Sequence, residues 1–290
     1  MKNNSGFTLV EVMIVLIIFG LVMGAGFHLM RLYQQRAIMM EFKQDMSEID
    51  VALAAYVAAS DGVLPCPAAL NAVPGTAAHG AAGNCTDMST ALGGCSGNAY
   101  CVLRGRGPIG NPAVDGRDGN AANRLRVRIG AVPFRALRLS SETALDPYGN
   151  RYLYAVTEYM ADDTNSDFIY NPAGGALEVE TAAGVSLIAD PGAVPPIPAG
   201  SGALIVYSTG PNSFGAFGRA GAKVAACPGG QAETPNCRAI PGEPGAKQAQ
   251  FVQEGFGDIG FDDRLKFSFP GLMLWSANEE AGPGGWLYGR

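Results

Sequence analysis

One carboxylate, Glu11, stands at the mouth of a run of residues (12–30) that holds no Asp, Glu, Lys or Arg, five positions after Gly6. A carboxylate carried into hydrocarbon costs on the order of 2.5–3.5 kcal/mol even on a lenient insertion scale, and a counter-charge offsets that cost. The chemistry open to such a group is ion pairing inside an apolar phase, helped by the positive end of a helix N-terminus. Six cysteines, Cys66, Cys85, Cys95, Cys101, Cys227 and Cys237, all lie beyond the run. An even set in an exported domain reads as disulfides and sets the domain in a periplasmic or extracellular compartment. Six cysteines allow 15 pairings, of which Cys227 with Cys237, Cys66 with Cys85 and Cys95 with Cys101 are the candidate pairs. Zinc is the competing chemistry, but no C-x-x-C pair exists and the only histidines are His28 and His79.

Other candidate sites are sparse. Residues 163–167 (DTNSD) set Asp163, Asn165 and Asp167 at alternate positions, as calcium loops do. The glycine and glutamate that complete such a loop are missing, so a solvated acidic turn is the competing reading. Asp262 and Asp263 offer a similar acidic pair. Beyond structural calcium no cofactor is expected. Residues 105–110 (GRGPIG) spell G-x-G-x-x-G, but Pro108 and Pro112 block the helix that a dinucleotide site needs after its glycines. Neither histidine lies near a nucleophile motif, and no G-x-S-x-G or H-E-x-x-H occurs. No catalytic residue is expected.

The elements that would carry these residues fall into two kinds. The apolar run predicts a helix, and beyond Arg31 the residues Leu32, Met39, Phe42, Met46, Ile49, Leu53 and Tyr56 recur at helical spacing. That amphipathic continuation reaches about Ser60, where Asp61-Gly62 signals a stop. Counted from Phe7, the helix has about 54 residues and a length of roughly 80 Å. Its first half must meet lipid or sister helices, and its second half offers one apolar stripe to a folded domain. Strands are expected at residues 125–129 (LRVRI), 151–156 (RYLYAV), 177–179, 185–188, 203–207 (ALIVY), 264–269 and 272–275. Residues 62–123 and 208–258 lack a sustained period and read as long disulfide-bearing loops, with 191–200 (PGAVPPIPAG) as a stiff connection. The fold class is therefore α+β: a long N-terminal helix packed on an antiparallel sheet with large disulfide-bearing loops. A net charge of −6 argues against nucleic acid as a partner, because phosphate binding calls for a basic face.

The junction formed by Gly6, Phe7, Thr8, Leu9, Val10 and Glu11 resembles the prepilin signal of type IV pilins and type II secretion pseudopilins of the PulG-like kind. A conventional signal peptide would have a shorter apolar core and a small-residue cleavage site, and a plain anchor leaves Glu11 unexplained. The resemblance implies a pilin-like fold and cleavage by prepilin peptidase between Gly6 and Phe7, with methylation of the new N-terminus. It implies that Glu11 meets the N-terminal amine of a neighbouring subunit during assembly. Segments 61–67 (DGVLPCP), 132–134 (VPF), 146–154 (DPYGNRYLY), 208–212 (STGPN) and 261–263 (FDD) extend the resemblance.

The implied organisation is a cleaved leader (1–6), a transmembrane segment (7–30), the amphipathic continuation (31–60) and a β-rich periplasmic or extracellular domain (61–290). The implied role is a structural subunit, not an enzyme, of a type II secretion pseudopilus or type IV pilus. Its partners would be other pilin or pseudopilin subunits, the peptidase and an inner-membrane assembly platform. Subunits at a filament tip tend to lack the glutamate, so Glu11 implies a place within the filament. The chain is longer than a typical subunit, which keeps two alternatives open: a minor pilin whose enlarged loops bind a surface or substrate, and a membrane-anchored periplasmic enzyme.

Overall fold

The computed structural model describes residues 9–87, 89–106, 126–161, 175–192, 196–228, 234–243, 247–253 and 263–268. The chain divides into two units, Met1–Gln44 and Asp45–Arg290. Helix α1, Leu9–Ala59, begins in the first and ends in the second. Within the second unit Met46, Ile49, Leu53 and Val57 are buried at helical spacing, while Tyr56 is only half-buried, so Val57 ends the stripe. The helix stops where Asp61 and Gly62 turn to positive φ, +54° and +89°. The Gly62 N–H then donates to the Val57 carbonyl at 3.0 Å, satisfying an acceptor of the last turn.

After α1 come β1 (Cys95–Ser96), β2 (Tyr100–Arg104), β3 (Arg126–Ala131), β4 (Leu153–Thr157), β5 (Glu178–Glu180), β6 (Leu204–Ser208), a short helix α2 (Thr234–Arg238), β7 (Gln250–Val252) and β8 (Arg264–Ser268). Six of the strands form one antiparallel sheet in the order β1-β2-β3-β4-β6-β8. Strands β5 and β7 pair in parallel as a separate two-stranded sheet. The architecture is thus a mixed helix and antiparallel sheet with disulfides, an α+β arrangement.

Both faces of the large sheet are covered, and the two-residue period assigns each face. Leu103, Val127, Ile129, Leu153, Ala155, Ile205, Tyr207 and Phe267 share one core with Val179 and Phe251 of the small sheet. The opposite face carries Tyr154, Val206 and Lys266 in one register row. Lys266 pairs there with Asp50 of α1, and Tyr152, just before β4, donates to Asp45 of the same helix at 3.1 Å. Gly130 in β3 is required by the segment that crosses it. A Cβ at that position would lie 2.4 Å from the Ala68 carbonyl oxygen, where Ala68 bridges Ala131.

Several expectations are corrected. The two long loops are not loops throughout: residues 62–123 contain β1 and β2, and residues 208–258 contain α2 and β7. Strand β2 (YCVLR) escapes a period-two reading because Cys101, Val102 and Leu103 are all buried, so neither face is polar. Residues 185–188 give only an isolated bridge from Ser186 to Glu180, and residues 191–200 are closed by a bridge between Asp190 and Ile197. The expected strand at 272–275 lies outside the described residues.

Lys266 supplies a pH test of the α1–sheet contact. Burial pushes its ammonium down to about 8 from an ordinary value of 10.5. Because the folded value lies below the unfolded one, the unfolded chain binds more protons in the window between them. The Lys266 contribution to stability therefore rises from about pH 8 towards 10.5 and is lost as pH falls through about 8. Urea midpoints of wild type minus Lys266→Met should increase from pH 7.5 to pH 10, and a flat difference would refute the assignment.

Candidate assembly surface

The first turn of α1 carries Glu11, exposed, at the helix end where the dipole favours negative charge. Around it the helix is apolar on every side. Leu9, Val10, Met13, Ile14, Val15, Leu16, Ile17, Ile18, Phe19 and Leu21 are all exposed, Leu9 by 77% and Phe19 by 60%. A helix that is apolar all round has no water-facing side and requires apolar neighbours. Among the described residues no helix is long and apolar enough to cross a membrane. Side chains of the apolar stretch are described without interruption from position 9 to 21. Gly6 and Phe7, the expected processing positions, lie outside the described residues.

The cysteines pair as Cys66–Cys85, Cys95–Cys101 and Cys227–Cys237. Cys227 and Cys237 lie beside Glu243 within metal-ligand range, but their sulfurs are bonded to each other and Glu243 pairs with Lys223. That cluster offers no thiolate to a metal. The Cys66–Cys85 bridge sits beside a segment that reaches β3. Arg128 donates to the Asn84 carbonyl at 2.5 Å and the Asp87 carbonyl at 2.8 Å, and Arg126 donates to the Thr90 carbonyl at 3.0 Å.

Both arginines are buried, although the alternation of residues 125–129 places them on one face of the expected strand. Glu158 explains why. In the 3-10 turn after β4 its two carboxylate oxygens accept from Arg126 Nε at 2.5 Å and from Arg128 Nε at 2.6 Å. Arg128 also stacks over the Tyr100 ring at 4.4 Å. Alternation alone could not reveal this, because the counter-charge is 30 residues away.

Two of the sequence blocks that carry the resemblance meet in space. Asp146 accepts the Ser208 hydroxyl at 2.6 Å and the backbone N–H groups of Tyr148 and Asn150 at 3.0 and 2.8 Å. Asn150 Nδ2 donates to the Ser213 hydroxyl at 2.9 Å. Burial raises the Asp146 carboxyl above its ordinary value, against the opposing effect of these donors. The turn is thereby a structural clasp between residues 146–150 and 208–213.

The remaining candidates fall as follows. Asp163, Asn165 and Asp167 lie outside the described residues, as does Asp262. Asp263 is buried and accepts from Asn236 Nδ2 at 2.9 Å. Of the glycine-rich segment, Gly105 and Arg106 are described, and the Arg106 N–H donates to the Ala176 carbonyl at 2.9 Å. The His28 side chain is not among those described, whereas His79 packs edge-on against Phe134 with ring centres 5.0 Å apart. Sequence reasoning missed the buried cations Arg151 and Lys247. Lys247 donates to the carbonyls of Arg238, Ile240 and Glu243 at 2.6, 2.8 and 2.9 Å and so closes the loop after α2.

Residues 1–27 match the prokaryotic N-terminal methylation motif, the signal of type IV pilins and pseudopilins. This motif supports a type IV pilin-like or pseudopilin subunit, a structural protein that assembles with others of its kind, in place of an enzyme. No curated protein and no solved structure matches the chain.

Proposed function

We propose that the chain is a structural subunit of a type II secretion pseudopilus or type IV pilus, with a pilin-like fold. Prepilin peptidase cuts it between Gly6 and Phe7 and methylates Phe7. Before assembly it is held in the inner membrane by residues 7–30, with the disulfide-bearing domain on the periplasmic side. Assembly stacks the same apolar residues against those of neighbouring subunits. Glu11 sets the register by pairing with the N-terminal amine of Phe7 in an adjacent subunit. Two charges that are each costly in hydrocarbon become tolerable together.

The observation that carries this reading is the methylation motif leading directly into a helix whose apolar residues are exposed on all sides. The domain beyond it is built around charge clasps and disulfides, which suit the surface of an extracytoplasmic filament. N-terminal mass spectrometry of the mature protein tests the processing step. The expected first residue is Phe7 carrying one methyl group. A mature chain that starts elsewhere, or an unmodified Phe7, would sink the proposal.

A further inference from the structure

A cavity of about 90 Å³ opens beside the start of β4, between residues 131–134, 141–145 and residues 74–80 of the loop closed by the Cys66–Cys85 disulfide. Its walls are mostly apolar, with Val132, Phe134 and Leu145 among them, yet Arg151 and Arg219 also line it. Arg151 is 4% exposed and is held by carbonyls. Its Nη1 donates to Leu70 and Ala69 at 2.8 and 3.3 Å, and its Nη2 to Ala72 and Arg219 at 2.5 and 2.9 Å.

Among the described residues no carboxylate pairs with Arg151. Glu142, next to the wall residue Ser141 in sequence, is engaged by Arg219 through two contacts of 2.5 Å. His79, on the same wall, cannot supply a compensating negative charge. Arg151 and Arg135 both act on it to favour the neutral ring, after the larger effect of its own burial. A buried cation held only by neutral dipoles favours an anion in any space beside it. The rest of the wall favours hydrocarbon, and a cavity somewhat smaller than one that accepts benzene suits a branched chain of three or four carbons.

We propose that this cavity binds a short aliphatic carboxylate, its carboxylate towards Arg151 and its branched end against Phe134 and Leu145. The chemistry needs both halves of the ligand. Sulfate offers charge without hydrocarbon, and isobutanol offers hydrocarbon without charge.

The test is thermal unfolding of the full chain, disulfides intact, against isobutyrate, isobutanol and sulfate at equal ionic strength. Isobutyrate is expected to raise the midpoint with the logarithm of its concentration once that exceeds the dissociation constant, by about 3 °C at ten times that constant. Isobutanol and sulfate are expected to give no rise of that logarithmic form. Ala144→Leu fills the cavity from a wall residue without touching the carbonyls around Arg151, and should abolish the isobutyrate response. The wild-type comparison stands even where that variant does not fold. An equal response to isobutanol or to sulfate, no response to isobutyrate, or a folded Ala144→Leu chain with an unchanged response would each overturn the proposal.

Discussion

Glu158→Gln is expected to destabilise the folded chain by about 3–5 kcal/mol, the usual cost of removing one partner from a buried ionic group. Glu158 is 3% exposed and is the shared acceptor of Arg126 and Arg128, themselves 4% and 2% exposed. Glutamine keeps the shape but removes the charge, and its amide sets an N–H group against guanidinium donors. Two buried cations then remain with no counter-charge, supported by the carbonyls of Asn84, Asp87 and Thr90 and, for Arg128, the Tyr100 ring. The damage should spread to the chain around and just beyond the Cys66–Cys85 bridge, because the Asn84, Asp87 and Thr90 carbonyls lie there. Urea unfolding of the oxidised full chain provides the measurement. Glu142→Gln is the matched control, since its pair with Arg219 is exposed and screened by solvent, so its midpoint should stay close to wild type. Equal midpoints for the two variants would show that the buried triad carries no special weight.

The same triad marks the boundary of what could be read without coordinates. Helix α1 was legible because its signals are local: an unbroken apolar run, a stripe at helical spacing, and Asp61-Gly62 at the stop. Strands β4 and β6 were legible because β-rich segments of five residues are bounded by turn residues. Strand β3 was legible as a strand but not as a buried one. Its arginines look wet until Glu158 and the 84–90 segment are placed on them. Strand β2 was hidden because Cys101, Val102 and Leu103 are all buried and show no alternation, and β7 because its partner β5, itself expected at 177–179, lies far along the chain. The Asp146 clasp shows the limit again. Each half is a recognisable turn, but only the fold joins Asp146 to Ser208. The N-terminal methylation motif is the opposite case, because it is a linear segment over residues 1–27 and its information is complete in the sequence.

Glu11→Val should leave insertion and folding intact while removing the chain from filaments. Valine lowers the cost of placing the segment in hydrocarbon, so entry into the membrane is not impaired. The folded domain keeps its own contacts, since the buried residues described in α1 begin only at Phe42, far beyond Glu11, and the domain's charge clasps all lie beyond Gln44. What the substitution removes is the proposed attraction to the amine of a neighbouring Phe7. In a low-dielectric setting even a modest net pairing energy of about 1.4 kcal/mol corresponds to a tenfold population change, so incorporation should fall by on the order of tenfold or more. The measurement is the ratio of variant to wild-type subunit in sheared filaments from cells expressing both, set against the same ratio in the membrane fraction. N-terminal mass spectrometry of the membrane pool separates an assembly failure from a processing failure, because the variant should still begin at methylated Phe7. Glu11→Asp, which keeps the charge on a shorter arm, should fall between the two. If the valine variant enters filaments as readily as wild type, Glu11 does not set the register, and apolar packing of α1 would be sufficient for assembly.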